Sequence, residues 1–188
     1  MNDIQAILVD LDGTLARTVN ANWHAYNQAL KEVGVEITRR AFDAKMQGRN
    51  WREFLPEILA EAGIDADAER IALRKTEIYR TSLLTIEINT ALVSALRLAR
   101  KHGLKVGLVT SASSASVHRI LEAHDLRDIF QTIVTGDDVR NHKPHPEPYV
   151  RAAEDLEVPI GSCLVYEDSE VGMISASQAG AQVIQVVF

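Results

Sequence analysis

The chain has a single cysteine among its 188 residues, so no disulfide within it can hold the fold, and stability has to come from a buried core. Cys163 lies in the apolar run Ser162 to Tyr166 and reads as a core residue of a reducing compartment, since nothing near it in sequence stabilises a thiolate. Long apolar runs are missing as well. None approaches the roughly 20 residues of a membrane-spanning helix, and no charged leader with an apolar centre precedes the first strand, so a cytoplasmic location and no membrane partner are expected. Basic charge is also in deficit. A formal net charge of −6 argues against nucleic acid or an anionic membrane as the main partner, although it leaves room for a local basic pocket. The composition, 46% apolar and 24% charged, is that of a globular protein, and the length suits one core with a smaller unit appended.

The stretch Ile4 to Leu15 organises what is present. Ile4, Ala6, Ile7, Leu8 and Val9 form the short, nearly continuous apolar run of a strand buried on both faces, and it stops at Asp10, Leu11, Asp12, Gly13, Thr14. Two carboxylates at the end of a core strand are costly unless a cation or a set of donors meets them. From about Asn20 to Arg80 the apolar residues fall at helical spacing, punctuated by Gly34, Gly48 and Gly63, which predicts an inserted group of three or four helices. Strands and helices then alternate. Strands are expected over Leu104 to Val109, Thr132 to Thr135, Cys163 to Tyr166 and Gln182 to Val187, with helices around Leu92 to Lys101, Val117 to Leu121, Pro146 to Leu156 and Val171 to Ala179. Such alternation implies an α/β fold with a doubly wound parallel sheet, because parallel neighbours need helical crossovers.

Ligands bind such sheets at the carboxyl ends of the strands. Asp10, Asp12, Thr110, Glu167 and Asp168 all fall there, and Lys143 lies in a loop after another strand, held by Pro144, Pro146 and Pro148. Carboxylates converging on one rim without histidine or cysteine at ligand spacing favour a hard cation such as Mg²⁺ over zinc. Thr110 brings a hydroxyl and Ser111 a backbone N–H at a strand-to-helix turn, an anion cradle beside the Lys143 charge. The set reads as a phosphoryl-transfer site.

In order, DLDGT, VTSAS, HKPHPEPY and YEDSEVGM resemble the four motifs of the haloacid dehalogenase superfamily, in the branch of phosphoglycolate phosphatase and β-phosphoglucomutase. The resemblance spans nearly the whole chain and implies a Rossmann-like core over 1–16 and 87–188 with a helical cap over 17–86. It further implies Asp10 as nucleophile, Asp12 as general acid and base, and Thr110 and Lys143 as holders of the phosphoryl oxygens. Mg²⁺ would sit on Asp10, the backbone carbonyl of Asp12 and Asp168, with Glu167 a direct ligand or a partner one step removed. The cap would exclude water and choose the leaving group, with Arg17, Gly48 and Arg49 as substrate-binding candidates and Gln47, Asn50 and Trp51 beside them. Two positions depart from the family pattern. Arg17 stands where many relatives carry an acid, as a substrate anchor or a hinge-surface residue; Asn22 stands nearest to where sugar-phosphate relatives carry a histidine, with His24 two residues on. The expected activity is Mg²⁺-dependent phosphate removal from a small phosphorylated metabolite, with a β-phosphoglucomutase-like mutase or a non-catalytic interaction protein as the alternatives.

Overall fold

The side chains of the first strand point alternately into two cores, and that alternation sets the layers of the molecule. The computed structural model describes residues 3–46 and 49–188, and for Ser82, Leu84 and Thr85 the backbone alone. Along the chain come β1 (Ala6–Val9) and β2 (Ala16–Arg17), followed by α1 (Val19–Lys31), α2 (Arg39–Met46), α3 (Trp51–Ala62) and α4 (Ala68–Tyr79). Then β3 (Glu87–Ile88), α5 (Thr90–Lys101), β4 (Lys105–Val109), α6 (Ser114–Ala123) and β5 (Thr132–Val134) lead to α7 (Glu147–Asp155), β6 (Cys163–Glu167), α8 (Glu170–Ala179) and β7 (Gln182–Gln185).

Ile7 and Val9 of β1 pack with Leu92 and Leu96 of α5 and Val117 and Ile120 of α6. Ala6 and Leu8 face the other way, onto Tyr149 and Ala152 of α7 and Ala176 of α8. A strand with period-two side chains and a helical layer on each side must be apolar throughout, which is why its sequence is nearly continuous rather than alternating. The sheet runs in the order β5, β4, β1, β6, β7, and every neighbouring pair is parallel. Val9 lies opposite Leu108 on one side and Tyr166 on the other, so β1, β4 and β6 end at one level. The doubly wound parallel sheet expected from the alternation is present.

The inserted helices α1 to α4 build a core of their own from Tyr26, Leu30, Phe42, Phe54, Leu55, Ile58 and Ile71. Within it the rings of Tyr26, Phe42 and Phe54 sit with centroids 5.3 to 6.0 Å apart in tilted and edge-on pairs, the arrangement aromatic quadrupoles favour. The chain enters and leaves this insert through a small antiparallel ribbon, β2 against β3, which pairs Arg17 with Glu87. No strand is expected from the sequence at either place, because two residues show no periodicity. Among the described residues no helix is long and apolar enough to cross a membrane.

Gly107 marks the tightest point of the sheet, where an added Cβ would lie 2.8 Å from Thr132 Cγ2 and 2.9 Å from Leu8 Cδ2. Gly107→Ala is expected to destabilise the fold by about 1–3 kcal/mol through overpacking. A lowered urea midpoint with an unchanged denaturant slope would show this, and an unchanged midpoint would show that the strands yield freely.

Candidate active site

Strand register brings the candidate residues together. Asp10 follows the last residue of β1, and its backbone N–H donates to Tyr166 O of β6 at 3.0 Å. Thr110 follows β4, Glu167 ends β6 and Asp168 comes next, while Lys143 descends from the loop between β5 and α7. The chain leaves β4 by α6 on one face and β6 by α8 on the other, so the crevice opens at the ends of these strands around β1.

Lys143 is the centre of the arrangement. Only 2% exposed, its Nζ donates to Asp10 Oδ1 at 2.8 Å, Glu167 Oε1 at 2.6 Å and Val109 O at 3.2 Å, and it lies 5.0 Å from the centre of the Tyr149 ring. Glu167 is fully engaged. Its Oε1 also accepts from Tyr149 Oη at 3.1 Å, and its Oε2 accepts from the backbone N–H and the hydroxyl of Ser169, each at 2.9 Å. Four donors fill the lone pairs of one carboxylate, so Glu167 is built to fix Lys143 and the start of α8. Ser169 in turn caps α8 by accepting from Gly172 N–H at 3.1 Å, and a Cβ on Gly172 would collide with Glu167 Oε1.

Asp168 accepts from the Thr14 hydroxyl at 3.2 Å. It sits against Gly13, whose φ of +94° and lack of a Cβ permit both the sharp turn after β1 and the close approach. Asp12 points elsewhere: its Oδ1 accepts from the Thr18 hydroxyl and from Asn22 Nδ2 at 3.2 Å, and its Oδ2 from the Thr110 hydroxyl at 3.3 Å. The polar turn is therefore divided between two tasks. Oxygens of Asp10, Glu167 and Asp168 lie within 4.8 Å of one another, whereas the Asp12 carboxylate is held toward the insert.

Charge does not balance at this rim. Three carboxylates, Asp10, Glu167 and Asp168, face the one ammonium of Lys143, leaving two negative charges over. Burial acts to lower the pKa of Lys143, but Asp10 and Glu167 outweigh it and hold the group well above its ordinary range. Glu167, desolvated yet bound to Lys143 and Ser169, stays below the usual carboxylate value. The excess falls on the other two acids. Burial raises Asp10 well above the carboxylate range, with Lys143 opposing and Glu167 and Asp168 adding to the rise. Asp168 is pushed up to about 6 by burial and then by Glu167. Such a rim is suited to a divalent cation.

Between this rim and the inserted helices lies a pocket lined by Asp10, Asp12, Thr110 and Ser111 below and by Arg49, Trp51 and Lys75 of the insert above. Asn50, wholly buried at the start of α3, accepts from Arg52 N–H and donates from Nδ2 to Ser111 O at 2.8 Å. Arg52 reaches Asp137 at 3.0 Å, and the other oxygen of Asp137 accepts from Ser114 N–H at the start of α6. Arg49 lines the pocket but is tied to Glu53 and Glu57. Arg17 is elsewhere, bridging to Glu87 at 2.8 Å across the β2–β3 ribbon with its guanidinium 4.7 Å from the centre of the Phe188 ring. Gly48 and Gln47 lie outside the described residues. Residues not singled out by the sequence are Thr14, Thr18, Tyr149, Ser169 and Lys75. Of these Lys75 left a signal, a lysine within the apolar stripe Ile71, Ile78, Tyr79 of α4.

The sequence pattern described as haloacid dehalogenase-like hydrolase matches residues 7–186. The chain belongs to that family. Protein CbbY of Rhodobacter capsulatus is 27% identical over 192 residues, covering 97% of this chain and 85% of the relative. Fructose-1-phosphate phosphatase YqaB of Escherichia coli is 29% identical over 181 residues, covering 96% and 95%. Among solved structures, CbbY from Rhodobacter sphaeroides in complex with phosphate has a TM-score of 0.91 at 27% identity, covering 98% of this chain and 87% of that one. A mutant of the same protein was solved in complex with xylulose-(1,5)bisphosphate, with a TM-score of 0.90 at 27% identity and the same coverage. A haloacid dehalogenase-like hydrolase with phosphatase relatives accounts for a strand-end rim of acids around one buried lysine.

Lys143→Met removes the cation and leaves Asp10 and Glu167 buried without it. A loss of about 3–5 kcal/mol at neutral pH is expected. Both carboxyls would then hold folded-state pKa values above their unfolded ones, so the folded protein binds more protons and stability recovers as pH falls through those values. Denaturant melts of the variant at pH 5 and pH 8 check this, and a deficit equal at both would contradict the pairing.

Proposed function

We propose that this chain is a Mg²⁺-dependent phosphatase of a small phosphorylated metabolite, working through a phosphoryl-aspartate at Asp10 in the cytoplasm. The observation that carries the reading is the uncompensated charge at the rim: three carboxylates around one buried ammonium, at the foot of a pocket that also holds Thr110 and Asp12. The residues fit Mg²⁺, since the formal excess with all three acids ionised is two negative charges, equal to its charge, and carboxylate oxygens of Asp10 and Asp168 lie within 4.8 Å of each other. Asp10, Asp168 and the backbone carbonyl of Asp12 would hold it, with Glu167, already filled by donors, steadying Lys143 instead of binding the metal. Bound there, the ion supplies neutralisation of phosphoryl oxygens beside Asp10.

In this reading a carboxylate oxygen of Asp10 attacks phosphorus, and the bond to the leaving oxygen breaks. Asp12, protonated, gives its proton to that oxygen. The Asp12 carboxylate then takes a proton from water, which attacks phosphorus and breaks the bond to Asp10, releasing inorganic phosphate and restoring both acids. Thr110 and the backbone N–H at Ser111 hold phosphoryl oxygens as charge shifts onto them, and Lys143 joins them by turning the N–H it gives to Val109 O. Thr18 and Asn22 fix Asp12 between phosphate and leaving group, while the single O–H of Thr110, given to Asp12 Oδ2 in this structure, turns to the phosphoryl oxygen. Residues 17–86 act as a cap over a core of 1–16 and 87–188, turning on the β2–β3 ribbon, with the Arg17–Glu87 pair as part of that hinge. The Asn50 and Arg52 contacts hold it against the loops after β4 and β5. Because YqaB is named for fructose 1-phosphate, sugar phosphates lead the substrates to try.

Phosphate release should require both Mg²⁺ and Asp10. With a panel of sugar phosphates and phosphorylated acids, Asp10→Asn should lower release by ~10³-fold or more, and chelation should abolish it. Release that survives Asp10→Asn would overturn the reading, and isomerised sugar phosphate without free phosphate would replace it with a mutase.

Cation binding should also follow pH. Mg²⁺ takes ionised carboxylates, and burial raises both acids that would hold it, Asp168 to about 6 and Asp10 well above its ordinary range, so protons compete at both. Affinity measured by calorimetry should fall as the pH is lowered from 8, and by at least tenfold per unit below pH 6, where Asp168 adds its proton. Constant affinity down to pH 5 would contradict Asp168 as a ligand.

A further inference from the structure

Lys75 stands in the middle of α4, where a core-facing position is ordinarily apolar. It is 7% exposed, lines the pocket above Asp12, and has as its partners the rings of Tyr79 and Tyr26, whose centres lie 4.2 Å and 4.8 Å from Nζ. Among the described residues no carboxylate lies within ion-pair distance of it, and it makes no hydrogen bond. This sets it apart from the other cations near the site. Lys143 holds two carboxylates, Arg49 two, Arg52 one and Arg17 one. An ammonium at a pocket wall has three N–H groups to satisfy, and two aromatic faces stabilise its charge without accepting any of them as an oxyanion does. Burial lowers its pKa to about 8, with Asp12 opposing, so the group remains largely cationic at neutral pH.

From this geometry we infer that Lys75 is a specificity-determining residue, whose ammonium binds a second oxyanion carried by the leaving group of the substrate. The inference deepens the phosphatase reading and rests on it for the orientation of the substrate. With the reacting phosphate at Asp10, the leaving group extends past Asp12 into the pocket, and among the described residues Lys75 is the wall cation without a carboxylate of its own. A phosphate or carboxylate there gives the N–H groups their acceptors, and the Tyr26 and Tyr79 rings keep water from competing. A neutral leaving group, such as a sugar without a second charge, leaves the ammonium as it is.

The test compares substrates in pairs, so that general damage cancels. Fructose 1,6-bisphosphate is set against fructose 1-phosphate, and 2-phosphoglycolate against the monophosphate of ethylene glycol, in the presence of Mg²⁺. The first pair reports a second phosphate and the second pair a carboxylate. Lys75→Met preserves the aliphatic stem and Lys75→Gln a polar end, and thermal melts establish that each variant is folded. For at least one pair, both variants should lower the kcat/KM ratio of charged over neutral leaving group by tenfold or more. The pair that responds identifies the oxyanion. The same compounds are titrated calorimetrically into Asp10→Asn protein with and without the Lys75 substitution, where the Kd ratio should move in the same way. If the wild type releases no phosphate but binding still discriminates, the phosphatase reading fails and the role of Lys75 stands. If phosphate is released and neither ratio changes in either pair, the role of Lys75 is overturned and the phosphatase reading stands.

Discussion

The Lys143 ammonium, buried between Asp10 and Glu167, is the interaction on which the rest of the structure depends. A lysine so deeply buried is tolerated because two carboxylates and a backbone carbonyl receive its three N–H groups. Those carboxylates come from strands on either side of one hydrogen-bonded ladder, so any slip of β6 against β1 would separate them. Glu167 spends its remaining oxygen on Ser169, which caps α8, and shares the first with Tyr149 from α7. Both helices of one face are thus tied electrostatically to the rim, in addition to their apolar contacts with Ala6, Leu8 and Val165.

This interaction also leaves the site short of positive charge. One ammonium cannot balance three acids, and burial, followed by the neighbouring carboxylates, raises the affinity for protons at Asp10 and Asp168. The fold carries that cost at the ends of its central strands, at the foot of the pocket that Asp10 lines. Cost and capacity have one origin in the proposed reading, because the carboxylates expensive to hold there are those that would hold a hard cation, and that cation together with Lys143 would draw the phosphate. The inserted helices close the space above, and their aromatic core keeps Lys75 at the pocket wall with Tyr26 shared between core and pocket.

Much of the core was legible in the sequence, since each strand there is covered on both faces and appears as an apolar run ending in a polar turn. Asp10, Thr110, Glu167 and Asp168 were visible as the ends of such runs, and Lys143 by its proline-dense loop. Less legible was the division of labour among the acids. Glu167 and Asp168 are adjacent, but the donors that saturate Glu167 arrive from Lys143, Tyr149 and Ser169, and only tertiary structure brings the first two near. The β2–β3 ribbon is shorter than any period, and the Arg17–Glu87 pair joins positions 70 residues apart. Within the insert, periodicity separates buried from exposed faces but does not say which buried face meets the pocket. Nothing in that periodicity marks Lys75 as a residue that faces the pocket.

The measurement that tests the account most directly is thermal stabilisation by fluoroberyllate, which mimics a phosphoryl group on an aspartate. The wild-type protein should gain several degrees in melting temperature when Mg²⁺ and fluoroberyllate are both present and little with either alone, and Asp10→Asn should lose the gain. A gain that persists in Asp10→Asn, or that needs no divalent cation, would contradict the claim that Asp10 carries the phosphoryl group at this rim.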